Sequence, residues 1–276
     1  MKNMIKSAAL VFAVFLIVSA CTPAASDNSS EISETTVPVV TDTTTLPSTS
    51  AETTTTSVPV TQPTAPPAGI VYLTIDDGPS SLTPLFLEVL AEKQVRATFF
   101  VTRKEDEELR PYYRQIIDAG HQLALHSASH NYSQIYKDID AFFADYGDIQ
   151  EYIYHLTGLR LSAYRFPGGT SYPHLLRPLR DDIFARFREQ DIPYYDWNVS
   201  SGDGAAAMYP PEKLVTHVVD GVLGRGAGAE SVVLMHDADN KPSTAEALPE
   251  IIDRLAGAGY VFDILENLKI PVHQRE

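Results

Sequence analysis

The sequence predicts an α/β fold, specifically a distorted and incompletely closed (β/α) barrel with about seven parallel strands. Short apolar or β-branched runs alternate with helical patterns, and such alternation is typical of parallel sheets joined by right-handed crossovers. Polar residues suited to chemistry follow at least five of these runs, as they do at the carboxyl-terminal face of a barrel. The folded part has roughly 200 residues, fewer than a complete eight-stranded barrel uses, so we expect the barrel to stay open.

Residues 1–21 are predicted to be a lipoprotein signal peptide. Lysines precede an apolar run at 8–18 that is too short to span a bilayer comfortably. The sequence Val-Ser-Ala-Cys that follows resembles the lipobox of bacterial lipoproteins, in which the cysteine carries the lipid. We therefore expect lipidation of Cys21, the only cysteine in the chain. The alternative is an ordinary signal peptide cleaved near Ala20 or Ala25.

Residues 22–68 are predicted to be a disordered tether. Thr, Ser, Pro, Ala and Val dominate and Lys and Arg are absent, so the segment cannot bury enough apolar surface to fold. A flexible chain of this length spans on the order of 40 Å. The folded domain at 69–276 would then lie outside the cytoplasm, anchored to the cell membrane by its lipid and facing the cell wall. The net charge of −15 argues against a nucleic-acid partner, and no protein partner is predicted.

The predicted strands of the folded domain are short runs rich in apolar and β-branched residues. They lie at 70–75, 97–102, 122–126, 162–166, 194–199, 231–235 and 260–264.

The clearest predicted helix covers 133–157, where apolar residues recur every three or four positions. This stripe indicates core packing and not a cofactor site. Gly120 and Gly158 stand where helix C-caps are expected. A Ser-x-x-Glu pattern beginning at Ser243 predicts a capping box that opens the last long helix, which ends at 257–259.

The most informative motif is TIDDGP at 74–79, where a buried strand delivers two adjacent carboxylates to a Gly-Pro turn. Asp76 and Asp77 repel each other unless a cation or a proton separates their roles. His126 and His130 are four residues apart, a spacing that lets both imidazoles face one point. One Asp and two His form a ligand set that leaves a metal position open for water. The alternative is structural, with the acids as turn or cap residues.

Three further clusters follow predicted strands. The first places a guanidinium beside a turn with exposed backbone N–H groups, and the second offers a carboxylate next to the only Trp. The third brings a His after a fully apolar run. Their residues are Arg165 with Pro167 and Gly168, Asp196 with Trp197, and Leu234 with His236.

Together these five clusters resemble, in order, the motifs of the polysaccharide deacetylases of carbohydrate esterase family 4, the NodB-homology domain. The resemblance covers essentially the whole folded part. It implies that Asp76 is the general base and that Asp77, His126 and His130 hold a divalent metal, with Zn²⁺ expected and Co²⁺ and Ni²⁺ as alternatives. The other implied roles are Arg165 holding the base, Asp196 supporting Arg165 and the catalytic His, His236 as general acid, Leu234 as the wall of the acetyl pocket, and Trp197 beside it.

One motif departs from the family pattern. A Tyr commonly follows the Arg-x-Pro sequence there, and its backbone N–H helps to bind the oxyanion. Here Gly168 and Gly169 follow Pro167. A backbone donor needs no side chain, so we expect Pro167 and Gly168 to keep a substrate-binding role while the sugar contacts of that Tyr are lost. Asp203 and Asp237 are interpreted as loop caps or as groups supporting the site.

The expected function is metal-dependent removal of N-acetyl groups from cell-wall glycan, most plausibly from the N-acetylglucosamine or N-acetylmuramic acid of peptidoglycan. Amide hydrolysis needs an activated water, a polarised carbonyl and a protonated leaving amine. The metal would supply the first two, Asp76 would take the proton and His236 would return one. The alternatives are an O-acetyl esterase, a deacetylase of chitin or surface polysaccharide, and a catalytically silent carbohydrate-binding surface lipoprotein.

Overall fold

The computed structural model describes residues 68–204 and 208–275 of the chain. The predicted signal peptide, the lipidation of Cys21 and almost the whole predicted tether lie outside the described residues. Within the described ranges, no helix has the length and apolar character needed to cross a bilayer.

A parallel sheet of six strands organises the domain, in the order β3-β2-β1-β5-β4, with β6 also paired to β1. The strands are β1 (Gly69–Asp76), β2 (Thr98–Thr102), β3 (Gln122–Ser127), β4 (Val199–Ser200), β5 (Glu230–His236) and β6 (Tyr260–Asp263). β5 follows one edge of β1 along almost its full length. The other edge of β1 is shared, because β6 pairs with its first half and β2 with its second half.

Two of the predicted strands, at 162–166 and 194–199, are reduced to single bridges. Tyr164 pairs in parallel with Leu125 of β3 and with Tyr194, and β4 keeps only the end of the second run. A proline flanks each run, and proline has no N–H to donate to a ladder. Among the described residues, no strand pairing joins Tyr194 to β4. The predicted fold, a distorted and open parallel barrel, is therefore confirmed.

Helices connect the strands. They are α1 (Thr83–Glu92), α2 (Arg110–Asp118), α3 (Tyr132–Ile135), α4 (Ile139–Thr157), α5 (Leu179–Glu189), α6 (Pro211–Leu223) and α7 (Pro242–Gly257), with a 3₁₀ turn at Leu265–Asn267.

The predicted helix at 133–157 is in fact two helices, α3 and α4. Asp138 adopts extended backbone angles and its carboxylate accepts a hydrogen bond from the Ala141 N–H at 2.8 Å, so α4 starts with a side-chain cap. At the other end Gly158 closes α4 in the left-handed conformation, as predicted. Gly120, with φ of 83°, likewise stands between α2 and β3.

The predicted capping box at Ser243 is wrong. α7 begins one residue earlier, at Pro242, and no side chain caps it. Proline suits this position because its N–H would have no helical partner and its φ is already helical. The hydroxyl of Thr244 points elsewhere and donates to Asp203 Oδ2 at 2.9 Å.

The barrel interior has an apolar floor and a polar top. Alternate residues of a strand share a face, so Tyr72 and Asp76 point the same way on β1, as Val232 and His236 do on β5. Tyr72 and Val232 are buried in a small apolar cluster, whose floor includes Leu265 of the 3₁₀ turn. The polar side chains thus gather above this cluster, at the carboxyl ends of the strands.

Candidate active site

Strand register brings the first two candidate residues together. Asp76 at the end of β1 lies opposite His236 at the end of β5. His126 occupies the corresponding end of β3, and Asp77 follows Asp76 directly. Parallel strands present their carboxyl ends at one edge of the sheet, which is where ligands bind in such folds.

Arg165 holds Asp76 from inside the barrel. Its side chain is fully buried, and Nη1 donates to Asp76 Oδ1 at 2.7 Å and to Thr74 Oγ1 at 2.6 Å. Nε and Nη2 donate to the backbone carbonyls of Tyr195 and Asp196 at 2.9 and 3.0 Å. Burial raises the pKa of Asp76, while the charges of Arg165 and His236 oppose that rise. Asp76 is thus a fixed carboxyl group with one oxygen, Oδ2, left for chemistry.

Asp77, His126 and His130 form a candidate metal site. Asp77 Oδ1 lies 3.5 Å from His126 Nε2 and 3.2 Å from His130 Nε2, and the three ligand atoms all fall within 4.8 Å of one another. Asp77 Oδ1 is buried and has no hydrogen-bond partner, which a cation would supply. One carboxylate and two imidazoles suit a metal such as Zn²⁺.

The tautomer of His126 also fits metal binding. Its Nδ1 lies 2.8 Å from the carbonyl oxygen of Arg165, so Nδ1 carries the proton and donates it. Burial, followed by the neighbouring His130, lowers the pKa of His126 to about 3. The ring is therefore neutral, and the lone pair of Nε2 faces Asp77.

The loop that carries His130 is fixed by a buried carboxylate on α4. Asp145 accepts hydrogen bonds from Ser127 Oγ at 2.7 Å and from the N–H groups of Ala128 and Ser129 at 3.0 and 2.8 Å. Ser127 Oγ in turn accepts from the His130 N–H at 2.8 Å. Sequence reasoning missed Asp145, although an acid within the apolar stripe of a helix was a usable signal.

His236 is paired with Asp203, which follows β4. The Nδ1–H of His236 donates to Asp203 Oδ1 at 2.8 Å, and its backbone N–H donates to Oδ2 at the same distance. Burial opposes the charged ring, but the hydrogen bond and charge of Asp203 prevail and raise the pKa of His236 to about 9. Asp76 and Asp77 add to this effect. His236 is therefore an imidazolium at neutral pH, with Nε2 available as a proton donor.

The comparisons with known proteins agree with this arrangement. Residues 64–182 match the family described as polysaccharide deacetylase. The catalytic domain of peptidoglycan N-acetylglucosamine deacetylase from Eubacterium rectale ATCC 33656 is 36% identical, with a TM-score of 0.70, over 76% of this chain and 94% of that one. YheN of Bacillus subtilis, assigned as a polysaccharide deacetylase, is 32% identical over 74% of this chain and 70% of its own length.

The chain belongs to the polysaccharide deacetylase family. The predicted resemblance is thereby confirmed. A peptidoglycan-N-acetylglucosamine deacetylase of Bacillus cereus is a further relative, 28% identical over 205 residues, which are 74% of this chain and 72% of that protein.

One predicted contact is not made in this chain. The carboxylate of Asp196 accepts hydrogen bonds from the N–H of Thr170 at 2.9 Å, from the Thr170 hydroxyl and from the N–H of Gln274 at 2.7 Å. It does not support His236, because that contact belongs to Asp203, and it reaches Arg165 only through its backbone carbonyl. The prediction that the Asp196 carboxylate supports the catalytic His and Arg165 is therefore wrong, because this carboxylate bonds Thr170 and Gln274 instead. The sequence did contain a signal for the role of Asp203 as partner of His236, because Asp203 is an acid in a Gly-rich loop that follows a predicted strand.

The turn after Arg165 has no room for a larger residue. Gly168 and Gly169 have φ of 77° and 74°. A Cβ on Gly168 would lie 2.9 Å from the ring of Tyr172 and 3.0 Å from that of Tyr132. A Cβ on Gly169 would lie 2.8 Å from Trp197. Tyr132 of α3 and Tyr172, which follows shortly after the turn, thus fill the space beside it. Sequence reasoning singled out neither of them.

Tyr132 also borders the candidate metal site, since its ring lies 5.3 Å from that of His130. The remaining predicted residues fall nearby. The carbonyl of Pro167 accepts a hydrogen bond from the Tyr136 hydroxyl at 2.8 Å. Trp197 lies beside Arg165, whose guanidinium carbon is 5.7 Å from the centroid of the Trp197 ring. Leu234 is buried below His236 on the same face of β5.

Asp237 anchors the turn that follows Asp77. It is fully buried, and its carboxylate accepts hydrogen bonds from Ser80 Oγ and from Thr83 Oγ1, the latter at 2.5 Å. A Cβ at Gly78 would lie 2.6 Å from Asp237 Oδ2, which explains why this turn requires glycine. Asp237 therefore acts as a structural link between β5 and β1.

Proposed function

We propose that this domain is a metal-dependent hydrolase that removes N-acetyl groups from cell-wall glycan, with peptidoglycan N-acetylglucosamine or N-acetylmuramic acid as the substrate and Zn²⁺ as the metal. One observation carries the proposal. Asp76, held by Arg165, and His236, held by Asp203, end adjacent strands beside the ligand set that begins at Asp77. A base and an acid in register next to a metal site are the groups that amide hydrolysis requires.

The ligand set would be Asp77, His126 and His130. A divalent cation bound there lowers the pKa of a water molecule and withdraws charge from the acetyl carbonyl. Asp76 accepts the proton of the attacking water at Oδ2, because Oδ1 is engaged by Arg165 and Oδ2 is the oxygen that lies 3.9 Å from His126 Nε2.

His236 completes the reaction as a proton donor. As the C–N bond breaks, its Nε2–H protonates the departing amine, so that acetate and a free amino sugar leave. The negative charge that develops on the carbonyl oxygen needs a donor. The N–H of Gly169 donates to Phe166, whereas that of Gly168 has no acceptor within the described part of the chain. We assign the oxyanion contact to the Gly168 N–H.

The proposed location is the outer face of the cell membrane, with the domain held near the wall by a lipid on Cys21 and the tether at 22–68. The sequence patterns of these segments support this location. A glycan in the wall is the substrate that such an anchor would make accessible.

Acetate release by the purified full-length chain tests the proposal. We expect release from N-acetylglucosamine oligomers and from peptidoglycan, abolished by a chelator and restored by added Zn²⁺. Release from acetylxylan alone would indicate an O-acetyl esterase. Tight binding of the oligomers by metal-replete protein without any release would indicate a silent carbohydrate-binding protein.

Two variants separate the metal ligand from the base. Asp77→Ala removes a ligand and should lose bound metal and activity together. Asp76→Asn keeps the ligand set and should retain stoichiometric metal while turnover falls by at least about 100-fold, a common loss on removing a general base. Metal content by elemental analysis and acetate release are measured on the same samples. Full metal in the first variant, or near-normal turnover in the second, would contradict the assigned roles.

A further inference from the structure

A cavity of about 620 Å³ lies outside the residues assigned above. Its lining residues are Pro173, Leu175, Leu176, Arg177, Arg180 and Arg275. Three guanidinium groups around one cavity are notable in a chain with a net charge of −15. Clustered arginines repel one another unless an anion lies among them.

Arg180 is the buried member of this arginine cavity. The residue is 4% exposed, and its Nε is a buried donor without a hydrogen-bond partner. Asp181 Oδ1 lies 3.4 Å from both Nε and Nη2, but only the contact with Nη2 has hydrogen-bond geometry. A buried donor on a charged group is costly without a hydrogen bond, so Arg180, whose ionic partner among the described residues is the shared Asp181, can still donate to a further acceptor.

Among the described residues, a single carboxylate, that of Asp181, pairs with guanidinium groups of this cavity. Asp181 is shared, because its Oδ2 also lies 3.3 Å from Arg177 Nε. Within the described residues, Arg275 forms no ion pair. Asp182, the other acid in the first turn of α5, pairs with none of the three guanidinium groups. The start of α5 adds a partial positive charge. One of the first backbone N–H groups of α5 is already bonded, because Arg180 N donates to the carbonyl of Leu176 at 3.1 Å. The guanidinium groups are therefore the main hydrogen-bond donors available to a ligand in the cavity.

One continuous segment connects this cavity to the candidate active site. The Gly168-Gly169 turn leads to Tyr172, whose N–H donates to the Gly169 carbonyl at 3.1 Å, and then to the cavity wall. Thr170 joins both sides, because its hydroxyl bonds the Asp196 carboxylate and accepts from the Arg275 N–H at 3.0 Å.

We propose that the arginine cavity binds an oxyanion carried by the cell-wall polymer, either a peptide-stem carboxylate or a phosphate of an anionic glycan, while a neighbouring acetyl group is hydrolysed. Guanidinium groups pair with carboxylate and phosphate through two parallel hydrogen bonds. The proposal rests on the proposed function for its choice of polymer. Since the cavity does not touch the reacting atoms, its contribution is to substrate binding and enters KM and not kcat.

The binding experiment follows the Nε–H resonances of arginine in the full-length chain by NMR, with inorganic phosphate added at constant ionic strength. We expect the Arg180 signal to shift in a saturable way, and the shift to be lost in Arg177→Gln/Arg275→Gln. These two positions are exposed, so the variant keeps the buried Arg180 and should fold. The matched control is Arg225→Gln/Arg254→Gln, which removes the same charge from exposed positions elsewhere and should keep the phosphate response.

The kinetic experiment compares a neutral N-acetylglucosamine oligomer, a muropeptide with free stem carboxylates and the same muropeptide with those carboxylates amidated. In Arg177→Gln/Arg275→Gln we expect KM to rise about 10-fold for the free-carboxylate substrate only, the size of a lost charged hydrogen bond. If an oligomer of glycerol phosphate displaces the muropeptide from Arg180, the phosphate is the preferred oxyanion.

Several results would overturn the proposal. One is equal KM changes for all three substrates, and another is a phosphate response identical in the control and the cavity variants. A third is a phosphate response that appears only in Glu276→Gln, which would mean that Glu276, the residue next to Arg275, competes with phosphate in the unsubstituted chain. If no substrate is turned over, the proposed function fails, while the phosphate titration still decides whether the cavity binds oxyanions.

Discussion

At the scale of single residues, the protonation of His236 depends on Asp203. The carboxylate receives both the ring Nδ1–H and the backbone N–H of His236, so the charged ring is stabilised despite its burial. A general acid must carry its proton in the reactive state. With His236 as the general acid that we propose, activity should be present below its raised pKa and be lost as the pH rises through about 9.

Asp203→Asn should move this basic limb of kcat/KM to lower pH by about 1 unit or more, because burial then acts without the opposing charge. The readout is a pH profile of acetate release from a soluble oligomer. Asp196→Asn is the matched control, since Asp196 is buried and hydrogen-bonded but does not touch His236. A basic limb that stays in place in Asp203→Asn, or that moves equally in both variants, would refute the pairing as the cause.

A tyrosine at position 168 should be unfavourable. Gly168→Tyr places a side chain in a left-handed backbone conformation and against Tyr172 and Tyr132, so we expect a loss of about 1–3 kcal/mol in the free energy of unfolding. Gly147→Ala is the control, because Gly147 lies within α4 with no atom within 4 Å of an added Cβ, and it should be neutral or stabilising. Chemical denaturation measures both. A Gly168→Tyr variant as stable as the parent would mean that the turn can rearrange.

At the scale of elements, α4 supports the candidate metal site through one buried acid. Asp145 holds the loop between β3 and α3 by three hydrogen bonds, and His130 in that loop has a strained φ of 49°. The helix therefore stabilises a backbone conformation that the loop would not keep alone.

Asp145→Ala should lower metal affinity by about 10–100-fold, as the loss of groups that orient metal ligands commonly does. The same change should reduce the free energy of unfolding by about 1–3 kcal/mol, because the loop donors lose their acceptor. Asp148→Ala, an exposed acid one turn along α4, is the control. Competition with a chromogenic chelator gives the affinity. Equal affinities in the two variants would show that the loop keeps its shape without Asp145.

The elements differ in how far the sequence predicts them. Runs such as the one that became β5 are apolar over their whole length, so composition alone indicates a buried strand. The break between α3 and α4 depends on the capping bond of Asp138, which competes locally with helix continuation. The choice of Asp203 over Asp196 as partner of His236 is set by long-range packing, since both acids follow strands and no local pattern distinguishes them.

At the scale of the whole molecule, the central strand is also the first one. β1 opens the described domain, yet it pairs along almost its whole length with β5, and Thr74 bonds the carbonyl of Val233, 159 residues away. Contacts of such long sequence separation slow folding, because a large loop must close before they form. During synthesis, β1 therefore lacks its main neighbour until nearly the entire domain has been made. The export that we propose would benefit from that delay, because an exported chain must reach another compartment before it folds. The same topology makes the end of the chain essential to the sheet. Loss of the residues from β5 onward would remove the main pairing partner of β1, the central strand.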